Sequence, residues 1–232
     1  MIDLSKFKSC PPQRSDEWHI QRLGKITASR ISDLMTKGRR KDELFGKTAM
    51  SYIYQVAAER DYDMEMVGRD FEEFRDLTCV ETRAMRNGIV NELNARNDYE
   101  IRHGVDVLEV GLVNHPSIPS LSCSPDGLVV VSNSGIEIKC PLPKTYMEYR
   151  CSIHDAASLK VVRPEYYWQI MCQIACCDLD YVDFVCYCQW MQHPTHEVRI
   201  FRNEEEITEM LERVNLADGI INDIIHLNNK QS

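Results

Sequence analysis

The hydrophobic pattern predicts an α/β (α+β) chain, a central mixed β-sheet flanked by helices. Three observations carry this. The first hundred residues place apolar side chains at helical spacing. The stretch from 105 to 201 alternates with period two in several places. Helical spacing returns inside that stretch at 164–177 and after it at 203–228. The 232 residues, 44% hydrophobic and 27% charged, exclude collagen-like, coiled-coil and wholly disordered chains. That length suits one domain, 1–232, with a core large enough to need no disulfide staples. Its expected parts are a helical region, 1–103, packed on a sheet core, 104–202, and a closing helix, 203–228.

Residues 14–36 read as an amphipathic helix, with Trp18, Ile20 and Leu23 followed by Ile31, Leu34 and Met35. The charged run 37–43 is a loop, and 44–60 is helical through Met50, Ile53, Tyr54, Ala57 and Ala58. The acidic stretch 61–76 shows no clear period. A long helix is expected over 78–102, with Ala84, Met85, Ile89, Val90 and Leu93 on its apolar face. Residues 105–113 alternate as a strand. Residues 121–131 and 135–140 flank Ser132-Asn133-Ser134-Gly135, a turn composition, and so form a β-hairpin that Pro141 and Pro143 end. Pro164 suits the first turn of the helix at 164–177. Residues 181–188 form an apolar strand and 195–201 an alternating edge strand. The last helix opens at Asn203 with a Glu-rich first turn that suits the helix dipole.

No run reaches the roughly 18 apolar residues of a membrane span. The opening residues lack the plan of a secretory signal, so a cytoplasmic location is expected. With 27 Lys and Arg against 36 Asp and Glu, the net charge of −9 argues against a surface that coats nucleic acid throughout. A local basic patch remains open. The ten cysteines include no CxxC pair and sit in apolar segments, which fits buried thiols; an iron–sulfur site among Cys172, Cys176, Cys177, Cys186 and Cys188 is the alternative.

The chemistry concentrates at Ser124-Pro125-Asp126-Gly127 and Gly135-Ile136-Glu137-Ile138-Lys139-Cys140-Pro141. Alternate side chains of a strand share a face, so Glu137 and Lys139 project together while Ile136 and Ile138 face the core. The hairpin folds Asp126 back toward Glu137. Two carboxylates and a lysine there suit a hard divalent cation such as Mg²⁺, which takes oxygen ligands and leaves room for a phosphate. The lysine can orient an attacking water, or deprotonate it if its neighbours lower its pKa. The plainer alternative is a salt bridge between Glu137 and Lys139. Glu92 lies on the long helix, where Arg96 at i+4 is a natural partner. Gln169 and Gln173 share one face of the 164–177 helix.

Five ordered motifs bear on these residues. They are W-H-x-x-R-L-G-x-I-T-A-S at Trp18–Ser29, G-x-x-x-E with A-R at Gly88–Arg96, and C-S-P-D-G-L at Cys123–Leu128. G-x-E-x-K-C-P at Gly135–Pro141 and Y-x-x-Q at Tyr166–Gln169 complete them. In this the chain resembles the bacteriophage lambda exonuclease family, the phage-type alkaline exonucleases of the PD-(D/E)xK nuclease superfamily. The resemblance implies a restriction-endonuclease-like core and a Mg²⁺-dependent 5′→3′ exonuclease. Such an enzyme degrades one strand of linear double-stranded DNA processively to mononucleotides and leaves a 3′ tail. It implies that Asp126, Glu137 and the Ile138 carbonyl bind metal, two Mg²⁺ ions with Mn²⁺ as a substitute. Glu92 joins directly or through water, Lys139 acts on the attacking water, and Gln169 contacts that water or a phosphate. Arg22, Thr27 and Ser29 match a pocket for the 5′-phosphate; a guanidinium grips phosphate bidentately and two hydroxyls add donors. Arg39, Arg40 and Lys41, beside Lys37, would line a DNA channel. Met85 falls where the family places an apolar wedge between the terminal base pairs. A ring-shaped homotrimer, a single-strand annealing partner and a phage or prophage origin in a bacterial host belong to the same implication. The family's type member has its second glutamine two residues after the first, whereas Gln173 stands four after Gln169, and 61–80 has no clear counterpart. An endonuclease, a repair nuclease with a cluster and a non-catalytic module for DNA ends are the competing readings.

Overall fold

The computed structural model describes residues 10–38, 43–78 and 83–230. Its N-terminal part comprises α1 (Asp16–Arg22), β1 (Ile26–Thr27), α2 (Ile31–Met35), α3 (Lys47–Arg60), α4 (Met64–Arg69), α5 (Phe71–Thr78) and α6 (Arg83–His103). The expected continuous helix over 14–36 is broken for two reasons. Gly24 adopts φ +69°, and a Cβ there would lie 2.7 Å from the Arg60 side chain. The β-branched pair Ile26-Thr27 then runs extended and pairs in parallel with Leu121 and Ser122. Residues 61–76 resolve into α4 and most of α5. Asp63 caps α4 by accepting the Glu65 and Met66 amides.

Two small strands follow, β2 (Val113–Asn114) and β3 (Leu121–Cys123), giving a three-stranded sheet in the order β1-β3-β2. The strand expected over 105–113 is mostly absent. Leu108 makes only an isolated bridge to Leu128, and regular pairing begins at Val113. Side chains satisfy the intervening carbonyls instead: Gln13 donates to Val110 O and Cys10 to Leu112 O. The segment containing Pro11 lies so close that a Cβ on Gly111 would sit 1.9 Å from the Pro11 carbonyl.

The hairpin forms as β4 (Gly127–Val129) and β5 (Ser134–Lys139), turning through Asn133 at φ +49°. The chain then crosses over through α7 (Pro143–Ser152), α8 (Ala156–Val162) and α9 (Pro164–Cys177) before β6 (Tyr181–Tyr187) pairs in parallel with β5. Pro143 opens α7, and Asp155 closes a capping box with Ser158 at the start of α8. β7 (Thr195–Phe201) forms the antiparallel edge of the sheet β4-β5-β6-β7. α10 (Glu204–Asn229) starts where Asn203 accepts the Glu206 amide.

α9 is buried almost throughout and packs with α2, α8, α10 and one face of the sheet. The opposite face carries a smaller cluster in which Ala95 and Tyr99 of α6 meet Val129, Ile136, Ile138 and Val185. Ile136 and Ile138 therefore point into a core, as the alternation requires. The expected apolar face of α6 does not: Ile89, Val90 and Leu93 are exposed, while Asn91, Ala95, Arg96 and Tyr99 are buried. Polar partners decide this orientation. Tyr99 donates to Asp183 on β6 at 2.8 Å, and Arg96 pairs with both Glu92 and Glu109. Six of the described cysteines are buried, and all the described ones are free thiols. Among the described residues no helix is long and apolar enough to cross a membrane.

Candidate active site

β5 is the centre of the site. Its pairing with β4 ends at Ile136 opposite Gly127, so beyond that point one edge of β5 is open. Asp126, half-buried just before β4, fills the gap: its Oδ2 accepts the Ile138 amide at 2.6 Å. In a strand the N–H and C=O of one residue point to the same side. The Ile138 carbonyl accordingly faces the edge where Asp126 sits.

Glu137 projects to the α9 side and is 1% exposed. Its Oε1 accepts Lys139 Nζ and, at 2.8 Å, Gln169 Nε2; its Oε2 accepts Gln173 Nε2. Lys139 Nζ also reaches Gln169 Oε1 at 3.4 Å and lies 4.8 Å from the centre of the Tyr166 ring. The i,i+4 glutamines thus converge on one carboxylate, one on each oxygen.

Electrostatics follow from this crowding. Burial pushes the Asp126 carboxyl well above the usual carboxylate range, and Glu137 and Glu92 push the same way; Lys139 and the Ile138 amide oppose them. Burial alone would lower Lys139, but Glu137 and Asp126 outweigh it and the net shift is upward. The two carboxylates thus favour the charged form of Lys139 in this arrangement.

Glu92 stands apart from that hydrogen-bond cluster. Arg14 contacts its Oε2 at 2.5 Å and Arg96 its Oε1 at 3.1 Å. It still acts electrostatically on Asp126 and on Cys140. The three carboxylates are hard oxygen donors, and the Ile138 carbonyl adds a fourth oxygen. This donor set fits Mg²⁺ or Mn²⁺. Among the described residues, no three His, Cys, Asp or Glu side chains are already grouped closely enough to hold a metal, which applies equally to these acids and to the cysteines.

Arg22, Thr27 and Ser29 come together as a second cluster. Arg22 Nη2 lies 3.0 Å from Ser29 Oγ and 3.4 Å from Thr27 Oγ1, with its guanidinium over the Trp18 ring. Trp18 Nε1 donates to Ser124 Oγ at 3.0 Å, which ties this cluster to the loop carrying Asp126. Ser15 caps α1, which presents Trp18 and Arg22. Arg39, Arg40 and Lys41 lie outside the described residues. Met85 falls on α6, but its side chain is likewise outside them.

The sequence pattern overlooked Gln13 and Arg14. Gln13 Nε2 donates to Val110 O and to Pro125 O, both at 2.9 Å, and so braces the residue before Asp126. Arg14 adopts φ +68°, a left-handed conformation that costs a non-glycine residue roughly 1–2 kcal/mol. Neither residue has a periodicity that could have marked it; a glutamine and an arginine before a helix look like ordinary surface.

A model of the YqaJ-like viral recombinase domain matches residues 17–180. An alkaline exonuclease (LHK-Exo) from Laribacter hongkongensis is 30% identical, with a TM-score of 0.75 over 94% of this chain and 97% of that one; its structure in complex with dAMP matches equally. A phage-related exonuclease from Haemophilus somnus 129PT shares the fold, with a TM-score of 0.67 at 14% identity over 90% of this chain and 96% of that one. No curated protein matches the chain. The matched span contains all five ordered motifs and, with them, Arg22, Glu92, Asp126, Glu137, Lys139 and Gln169: the chain belongs to the family of YqaJ-like viral recombinase domains.

Proposed function

We propose that this chain is a DNA exonuclease that hydrolyses one strand of linear duplex DNA from its 5′ end, releasing mononucleotides and leaving a 3′ single-stranded tail. The observation that carries this is the pairing of two clusters through one short loop. Asp126, Glu137, Lys139 and Gln169 form a polar, buried hydrolytic site. The Arg22, Thr27 and Ser29 group, joined to it by the Trp18–Ser124 hydrogen bond, suits a terminal phosphate. The likeness to an alkaline exonuclease supports the reaction class, and dAMP bound to that relative is a mononucleotide of the kind this reading releases.

In this mechanism Arg22 holds the 5′-phosphate, with the Thr27 and Ser29 hydroxyls as added donors. That grip fixes which phosphodiester reaches Asp126 and Glu137. Asp126, Glu137 and the Ile138 carbonyl would hold Mg²⁺, two ions in the fullest form, with Glu92 contributing through water. When bound there, such a metal would supply polarisation of the phosphoryl oxygen and a more acidic water. Lys139, charged and held between Glu137 and Gln169, orients the attacking water and offsets charge developing on the phosphate. Gln169 and Gln173 fix the Glu137 carboxylate by occupying both its oxygens. A homotrimeric ring around the DNA, processive digestion and an annealing protein that receives the 3′ tail complete the proposal. An enclosed substrate would reconcile the net charge of −9 with a DNA substrate.

The test is digestion of linear duplex DNA in Mg²⁺, labelled separately at each 5′ and 3′ end, beside a closed circle. Label should leave the 5′ ends as mononucleotide while the circle survives. Asp126→Ala and Lys139→Ala should each lower the rate by at least about 10³-fold with folding intact. Arg22→Ala should erase the preference for 5′-phosphorylated over 5′-hydroxyl ends. Cutting of the circle would make it an endonuclease, and end-binding without cleavage a non-catalytic module.

A further inference from the structure

Arg14 precedes α1 at φ +68°, a conformation that glycine takes without strain and arginine does not. Such strain persists only where surrounding contacts over-determine it, and it clusters at functional sites. The contacts are present. Gln13 is clamped to Val110 O and Pro125 O, and Ser15 caps α1, so both neighbours of Arg14 are held in place. The result aims the Arg14 guanidinium at Glu92, a carboxylate within electrostatic reach of Asp126. Glu92 already has a buried partner in Arg96, so neutralising it does not require Arg14. Arg14 itself is 42% exposed to solvent.

We propose that Arg14 is a DNA-binding residue that takes a backbone phosphate of the duplex beside Glu92. Its guanidinium exchanges the Glu92 carboxylate for the phosphate when DNA arrives. An arginine is suited to both, since its fork matches carboxylate and phosphate alike. The exchange leaves Arg96 on Glu92 and releases the second Glu92 oxygen toward Asp126. This contact is distinct from the Arg22, Thr27 and Ser29 group, and it rests on the nuclease reading above.

Binding of a fluorescent, 5′-phosphorylated duplex to the full chain in EDTA, measured across a salt series, tests it without cleavage. Arg14→Gly removes the guanidinium and relieves the backbone, so its melting temperature should equal or exceed that of the wild type. Arg14→Asn, which tolerates the same φ, is the second neutral variant. Each should bind about tenfold more weakly, and the slope of log affinity against log salt should shrink by about one phosphate contact. The loss should persist in a Glu92→Gln background, where a residue that merely neutralised Glu92 would become silent. Unchanged affinity and slope in both variants, or a loss that disappears in Glu92→Gln, would overturn the role of Arg14 while leaving the nuclease reading standing. A wild-type chain that binds no duplex at any salt would overturn the role of Arg14, while the end-labelled digestion above decides the nuclease reading separately.

Discussion

His115 shows how a single side chain can set a pH limit on this fold. It is buried at the bend after β2, and its Nδ1 accepts the Ser117 and Ile118 amides at 3.2 Å each. Burial holds its pKa below the usual imidazole value. The unfolded chain therefore takes up the proton first as pH falls. The stability that His115 contributes is complete above the ordinary value of about 6.5 and declines as pH drops below it toward the folded value. His19 shifts the same way, from burial and then the Arg22 charge, so the two must be separated by mutation. His115→Asn keeps an acceptor at the bend and abolishes the titration. Thermal melts at pH 7.5 and 5.5 should show a smaller loss for the variant than for the wild type; equal losses would assign the effect elsewhere. At this scale the sequence was legible only in part. Asp126, Glu137 and Lys139 could be placed because strand alternation fixes which side chains share a face. Gln13 and Arg14 could not, since a clamp across more than a hundred residues and a left-handed φ leave no trace in local spacing.

Among the elements, α6 is the instructive failure. Its helical period was correctly visible, yet the face chosen for burial was the wrong one. Hydrophobicity ranks Ile89, Val90 and Leu93 above Asn91, Arg96 and Tyr99, but hydrogen bonds and ion pairs to Asp183 and Glu109 fix the helix the other way round. The Tyr99 hydroxyl is pushed up by burial and by the Asp183 charge, so it remains a donor at any working pH. Tyr99→Phe should cost about 1–2 kcal/mol in urea unfolding, because Asp183 keeps Arg199 but loses its buried donor. A neutral result would mean that packing of the ring alone holds α6 to the sheet. By contrast α9, β7 and α10 were legible almost to the residue, the two helices being long, periodic and opened at Pro164 and Asn203, and β7 an alternating run. The short helices α4 and α5 contain too few turns for a period to emerge, and only a cap such as Asp63 marks them.

For the molecule as a whole, the order sheet, crossover, strand, helix was visible because period two and period 3.6 alternate after residue 120, whereas the alternation over 105–113 gave no regular strand. Assembly was not visible, since one chain's pattern does not separate a face buried against itself from one buried against a copy. The proposed ring makes a plain prediction: light scattering should return three times the chain mass, and a monomer that still digests processively would remove the ring from the mechanism. The parallel pairing of β5 with β6 has a further consequence. The hairpin bearing Asp126, Glu137 and Lys139 is complete by residue 139, but the glutamines that fix Glu137 arrive with α9, and β6 only at Tyr181. Between them lies a crossover whose closure must precede any reward from pairing. A chain still emerging from the ribosome at β5 already holds every charged group of the hairpin, yet its glutamate has no glutamine against it and its strand has no second neighbour. The order of synthesis thus delivers the charges first and their alignment last, which would keep an unfinished nuclease from finding its active geometry before its own fold is nearly whole.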